Sequence, residues 1–578
     1  MIEERTEIRD GMRITFDMPI PMDDGVVLRC DVFRPTAEGR YPVIMNHGAY
    51  GKGLAFQEKH AYAWERMAKE HPDTVAGSSN KYQNWEVVDP EKWVPEGYAI
   101  VRVDCRGSGR SPGVLNPWSP REIRDYYNCI EYIARQPWCS GKVGLNGISY
   151  YARTQWYVAA LQPPHLSAIC VWEGAQDCYR DITHHGGMVS DFMLSVFPRQ
   201  ILNVQHGVGE RGSRCPWDGG GLVAGPETLS EDELKKNRVD MAQWIIDHPL
   251  DDQVHRERTP DLSKVTVPVL SCGNWGGHGL HLRGNLDGYT RAASKEKWLE
   301  VHGDTHWAHF YTDYGVSMQK RFFAHFLKGE GSWANEPPVR LQIRHLDRFV
   351  ERKEKEWPLA RTRWTKFWLD PGQRLLTREA PRAAARLEFE AMGNGLLFVT
   401  EPFAADTEIT GPLAAKLFAS SSTNDSDLFL MLRLYAPDGN EVVFQGASDP
   451  HAALAYGWLR ASHRKLDPAL SRPEKPHHTH DEKQPLTPGT PVELDVELWP
   501  TCIVVPKGYR LGLSVQGRDC EPNDPPTQIG GINFTPHATV GPFRHNHPQD
   551  RPPATFGGRT TLHFGPGSEP YLLLPVIS

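Results

Sequence analysis

The segment Gly144-Leu145-Asn146-Gly147-Ile148-Ser149-Tyr150-Tyr151-Ala152 constrains this chain most, because it reads as a strand end, a tight serine-bearing turn and the start of a helix. Such a turn lifts a serine Oγ above the edge of a sheet only if its neighbours are small, since strand and helix backbones approach closely there. Gly147 and Ala152 meet that need, whereas Tyr151 stands where the second glycine of G-x-S-x-G would be. Ser149 is the candidate nucleophile.

The flanks extend this reading. Ser119-Pro120-Arg121-Glu122 has the pattern of a capping box with proline at the first helical position. Ile123, Tyr126, Tyr127, Ile130, Ile133 and Ala134 then follow at helical spacing. A strand at Lys142–Leu145, a helix over Tyr150–Leu161 stopped by Pro163-Pro164, and a buried strand at Leu166–Trp172 complete a β-turn-α-β order. Upstream, the apolar runs Pro42–Asn46 and Tyr98–Val103 end in His47-Gly48 and Asp104-Cys105-Arg106-Gly107, as parallel strands ending in functional loops do. A doubly wound α/β sheet follows.

Several motifs now occur in a recognisable order. Asp104–Gly113, Gln136-Pro137-Trp138, Gly147-Ile148-Ser149-Tyr150, Thr154-Gln155, Val267–Leu270, Leu282-Arg283-Gly284 and Gly457–Ser462 resemble the cocaine esterase/X-prolyl dipeptidyl-peptidase group (CocE/NonD-like) of α/β-hydrolases over nearly the whole chain. The resemblance implies an α/β-hydrolase doubly wound sheet with a helical cap insertion, followed by an all-β jelly-roll domain. The expected division is 1–178 and 261–336 for the two parts of the hydrolase domain, 179–260 for the cap and 337–578 for the β-sandwich. Candidate cap helices are Met188–Val204 and Glu231–Asp247, and an amphipathic helix Asp313–Leu327 closes the sheet domain. Beyond it, Arg363–Leu369, Leu428–Tyr435 and Tyr509–Gln516 are strand-like, and Pro437-Asp438-Gly439-Asn440 reads as a hairpin turn.

Composition bounds the partners. At 578 residues the chain needs more than one core, and a net charge of −8 argues against a nucleic-acid partner. The start lacks the basic and apolar regions of a signal peptide, and no apolar run could span a membrane, so a cytoplasmic protein is expected. The ten cysteines form no zinc spacing, and Cys105, Cys129, Cys170 and Cys272 sit in apolar contexts as core thiols. His477-His478-Thr479-His480 reads as a solvated loop, and no metal or organic cofactor is expected. A homo-oligomer is left open.

Serine chemistry needs a base, a charged partner for it and oxyanion donors. His306 in Val301–Trp307 is the base by its place after the last apolar strand and by chain order, with His302 and His309 as rivals. Relatives carry an aspartate in a Gly-Trp-Tyr-Asp-like segment, but the matching Gly273–His278 has no carboxylate, and Gly277 stands at the expected position. Glu173, at the tip of the neighbouring strand, is the replacement ranked above Asp304; Asn274 is the neutral fallback. The oxyanion donors are the backbone N–H of Tyr150 and, by resemblance, the hydroxyl of Tyr50 in a glycine-flanked loop. Trp172, Trp275 and Trp307 are the expected aromatic pocket walls. The implied activity is cleavage of a small carboxylic ester or related acyl compound through an acyl-enzyme, with X-prolyl or other amide hydrolysis, or non-catalytic binding, as alternatives.

Overall fold

The computed structural model describes residues 3–578. Its first sheet has eleven strands, and the parallel centre is built from short buried runs. Tyr41–Gly48 lies between Ala99–Asp104 and Cys139–Ile148, followed by Leu166–Trp172, Val269–Asn274, Lys297–His302 and Val339–Arg344, all parallel. An antiparallel meander of Arg5–Arg9, Met12–Pro21 and Val27–Pro35 extends one edge; Phe349–Glu354 caps the other. Buried on both faces, the central strands read as continuous apolar runs rather than alternating ones.

Helices cover both faces. Pro120–Ala134 starts where expected, with Ser119 Oγ accepting the Glu122 N–H. The Glu122 carboxylate, however, accepts from Trp118 N–H rather than closing a capping box on Ser119. Tyr150–Ala160 is buried along its whole length, so its backbone sits directly against the sheet. A Cβ on Gly147 would lie 2.6 Å from Tyr151 Cβ, and one on Gly174 would lie 2.6 Å from Ala152 Cβ. Larger residues at those glycines would push the nucleophile helix off its strand.

The segment between Trp172 and Val269 is more broken than its sequence suggests. Met188–Val204 is not one helix: Met188–Val189 pairs with His184–His185, then a π-helical turn at Phe192–Val196 runs into Phe197–Leu202. Glu231–Asp247 splits into Glu231–Lys236 and Met241–Asp247, because Asp240 caps a fresh start through the Gln243 N–H. The tail of Asp313–Leu327 passes into a π-helical turn over Ala324–Lys328 and ends at Gly329 in the left-handed region.

In the C-terminal all-β domain, Thr407–Ser421 pairs with Val492–Val505, and the pairing continues through Ala455–Arg460, Asp427–Tyr435, Arg510–Gln516 and Leu396–Thr400. It then passes through Leu375–Thr377, Thr362–Asp370 and Tyr571–Ile577, which pairs again with Thr407–Ser421 and closes the circuit. The hairpin at Pro437–Asn440 forms as read, joining Asp427–Tyr435 to Glu441–Val442. The expected boundary at 336/337 does not coincide with sheet membership: Val339–Arg344 and Phe349–Glu354 pair onto the hydrolase sheet. The alternation of buried apolar residues along Val339–Arg344 supplies the reason, since it lets that strand cover the exposed edge of Lys297–His302.

All ten cysteines are buried free thiols. His478 and His480 are also buried, contrary to the solvated loop expected for them. Arg180 draws this segment inward by donating to the carbonyls of His478 and Thr479. Among the described residues no helix is long and apolar enough to cross a membrane.

Candidate active site

Parallel strands deliver their loops to one edge of the sheet, and five such loops meet over Ser149. The serine sits at φ 57°, ψ −111°, between the strand Cys139–Ile148 and its helix. Its N–H lies against the carbonyls of Trp172 and Glu173, which pins the turn to the neighbouring strand tip. The first-turn N–H of Tyr150 has no i−4 carbonyl to bind, as at any helix start, and is left for a ligand.

The Tyr50 loop is held from below by a buried charge network. Lys52 donates to Asp17 and Asp31 at 2.7 Å each, its backbone N–H donates to Asp104 at 2.6 Å, and Asn84 holds the carbonyls of Gly51 and Lys52. Gly51 takes φ +77°, and a Cβ there would strike Val223. Tyr50 thereby shares one cavity with Ser149. Burial first, and then the charge of Glu86, push its phenol well above the usual value, so it stays a neutral donor.

Glu173 is fully buried at φ 48°, and its carboxylate joins three side chains. Oε2 meets His306 Nδ1 at 2.7 Å, Oε1 meets His302 Nε2 at 3.1 Å, and Asn274 Nδ2 donates to Oε1 at 3.2 Å. Burial alone would raise Glu173 and lower both histidines. The mutual charges outweigh it, taking Glu173 down to about 2, His302 up to about 9 and His306 up to about 10. His302 also binds Glu300 at 2.7 Å, which occupies its other nitrogen. Asp304 faces away, with Oδ2 on His71 Nε2 at 2.7 Å.

Two residues that the sequence reading missed complete the arrangement. His306 Nε2 lies 3.0 Å from Glu86 Oε1, while Ser149 Oγ lies 3.1 Å from Nε2 of His281. The His281 and His306 rings are stacked at 4.8 Å and 10°. Burial, followed by the positive charge of His306, drives His281 well below the ordinary imidazole value. His281 thus lies beside the Ser149 hydroxyl as an imidazole whose neutral form is favoured, and His306, raised to about 10, is held between the carboxylates of Glu173 and Glu86. The second histidine of His278-Gly-Leu-His281 was the available signal. Glu86 carried none, because it reaches the site from the long excursion between strands Tyr41–Gly48 and Ala99–Asp104. Glu173, His281 and His306 each offer a ligand atom within 4.8 Å of the others, but three donors already engaged in hydrogen bonds and stacking leave the set occupied by its own charges.

The cavity over Ser149 is about 440 Å³, a size suited to a small molecule. Of the three expected tryptophan walls only Trp307 lines it. Trp172 packs beneath His302, at 5.2 Å between ring centroids, and Trp275 donates to the Gln342 carbonyl at 2.8 Å; strand tips turn both into the core. Trp85, Trp118, Phe192, Phe197 and Phe543 form the actual aromatic wall. Phe543 comes from the all-β domain, whose Ala447 carbonyl also accepts the His306 N–H at 2.9 Å.

Comparison with known proteins agrees with this geometry. Residues 24–311 match the X-Pro dipeptidyl-peptidase (S15) family, and residues 331–573 match the X-Pro dipeptidyl-peptidase C-terminal non-catalytic domain. The cocaine esterase of Rhodococcus sp. (strain MB1 Bresler) is 25% identical, over 90% of this chain and 93% of its own. A crystal structure of an aminopeptidase from a marine sediment Thaumarchaeota archaeon, at 16% identity and TM-score 0.67 over 100% of this chain and 96% of that one, shares the fold. A CocE/NonD family hydrolase from Staphylococcus aureus superposes with TM-score 0.81 at 30% identity, covering 98% of this chain and 94% of that one. With a serine turn, a carboxylate–imidazole pair and a shaped cavity at the sheet edge, the chain belongs to the CocE/NonD group of the X-Pro dipeptidyl-peptidase (S15) family of serine hydrolases.

Proposed function

We propose that this serine hydrolase cleaves carboxylic esters through an acyl-enzyme on Ser149, with His306 and Glu173 as base and acid. The observation that carries the reading is the 2.7 Å contact between Glu173 and His306 Nδ1 beside the strained serine turn. A base must carry positive charge in the transition state, and His306 has a carboxylate to stabilise it. His281 has none, and would become a cation stacked on another.

The resting contacts imply an order of events. His281 holds the Ser149 hydroxyl, while the His306 Nε2 proton rests against Glu86. Attack needs Nε2 free, so the competent form is the one in which the Glu86–His306 pair has lost that proton. His306 then turns to Ser149 and accepts its proton as Oγ attacks the acyl carbon. Charge on the carbonyl oxygen falls to the Tyr50 hydroxyl and the Tyr150 N–H, the imidazolium protonates the leaving alcohol, and water repeats the sequence to release the acid.

Ester cleavage is favoured because X-prolyl release needs a free anionic group for a substrate amino terminus, and Glu86 is engaged by His306 through Oε1. Its Oε2 has no partner and, together with the match to the X-Pro dipeptidyl-peptidase family, supports the peptidase reading. A panel of aryl esters against X-Pro amides separates the two. Fluorophosphonate labelling tests the nucleophile: the label should map to Ser149 and vanish in Ser149→Ala, and labelling of another serine would defeat the assignment. The broken helices between residues 179 and 260 act as a cap, the β-domain is a jelly roll, and ten unpaired thiols favour a cytoplasmic location.

A further inference from the structure

The cavity contains a cation with no counter-charge. Arg153 lies one turn along the nucleophile helix from Ser149, is 1% exposed and lines the cavity. Its Nη2 donates to Tyr157 Oη at 2.7 Å and to the Arg258 carbonyl at 3.3 Å, and its guanidinium lies 4.0 Å over the Trp118 ring. Nε and Nη1 are buried without any partner. Among the described residues no carboxylate comes within ion-pair distance of it. Glu122, on the adjacent helix, is spent on the Tyr150 hydroxyl at 2.7 Å and on Trp118 N–H.

The rest of the cavity does not compensate. Lys59 lines the same space, donates to the Gln200 carbonyl at 2.9 Å and sits 5.1 Å over the Tyr50 ring, with Glu86 acting on it only at a distance. Glu86 is matched by His306. Burial lowers Lys59 to about 7, so its charge is easily given up, and Arg153 is the cation that stays in the cavity without an acid. A buried guanidinium with two idle N–H groups is costly unless something accepts from them. A carboxylate fits, because it brings the missing negative charge and an oxygen to which either idle N–H, Nε or Nη1, can donate.

We propose that the substrate carries a carboxylate besides the bond that is cleaved, and that Arg153 recognises it. The inference rests on the ester-hydrolase reading and adds the substrate class: hemiesters of dicarboxylic acids, or esters of hydroxy acids, rather than neutral esters. Trp118 and Phe197, stacked at 4.8 Å, would flank the connecting chain.

Three measurements decide it. First, kcat/KM is compared for monomethyl esters of short dicarboxylic acids, for acetyl esters of the corresponding hydroxy acids, and for neutral esters of the same length. The carboxylate-bearing members should win by about tenfold or more, as expected for a buried charge-assisted pair, and whichever series wins places the carboxylate on the acyl or the alcohol side. Equal or better turnover of the neutral esters overturns the proposal. Second, Arg153→Met should collapse that ratio and Arg153→Lys should retain part of it; an unaltered ratio in a folded Arg153→Met protein is equally fatal. If Arg153→Met does not fold, the wild-type comparison stands alone and still decides. Third, calorimetry on Ser149→Ala protein should show tighter binding of monomethyl adipate than of dimethyl adipate. This arm is independent of turnover. If wild-type protein takes no fluorophosphonate label, the hydrolase reading fails, while the binding preference still upholds or rejects recognition by Arg153.

Discussion

Replacing Glu173 by glutamine removes one charge from the centre of the network while keeping its size and its amide hydrogen bonding. His306 is displaced from 6.5 to about 10. At 1.36 kcal/mol per unit this is about 5 kcal/mol in favour of the imidazolium. Glu173 supplies the largest favourable part of it and Glu86 the remainder. If Glu173 contributes roughly 3 kcal/mol of that total, its charge alone is worth on the order of a hundredfold in rate. Loss of the acceptor that fixes the Nδ1–H tautomer adds to it, so kcat should fall by about 10³ to 10⁴. The assay is initial-rate hydrolysis of an aryl acetate, normalised to fluorophosphonate-titrated sites. Stability should respond with a defined pH shape. His302 and His306 have raised values, so their contribution is complete below the unfolded value of 6.5 and disappears as pH climbs through about 9 to 10. Glu173 is lowered from 4.5 to about 2, so its contribution is present above 4.5 and lost as pH falls towards 2. Glu173→Gln should therefore cost most between pH 4.5 and 6.5, on the order of 3 kcal/mol for breaking a buried pair, and little near pH 10. A variant within tenfold of wild-type kcat, or a stability deficit independent of pH, would refute the reasoning.

Two further outcomes follow from the stacked histidines and from Glu86. His306→Gln should lower kcat by about 10⁴ or more, whereas His281→Gln should change it by about tenfold or less, since His281 only holds the hydroxyl before attack; the reverse ranking in single-turnover acylation would make His281 the base. Glu86 stabilises the protonated form of His306, so Glu86→Gln should lower the His306 value and move the acidic limb of the kcat/KM profile to lower pH. A limb that stays in place, or moves upward, would show that Glu86 does not control the His306 proton.

The serine turn, the order of strands around it and the family were legible in the chain because each rests on local rules. Small residues are needed at a strand-to-helix crossing, apolar runs are needed where parallel strands are covered on both faces, and Ser149 declares itself by its neighbours. Glu173 was legible by a weaker route, as an acid at the next strand tip once Gly273–His278 lacked one. Tertiary structure decided what surrounds them. Glu86 reaches His306 across 220 residues of chain, Phe543 arrives from another domain, and His281 rather than His306 meets Ser149. It also turned Trp172 and Trp275 into the core and left Arg153 in the cavity without an acid. None of these has a periodicity or motif to announce it, because which buried charges meet depends on the distances between loops from different strands. Sequence neighbours set the conformation of one turn, whereas electrostatics at the site is a sum over groups that only packing brings within a few ångströms of each other.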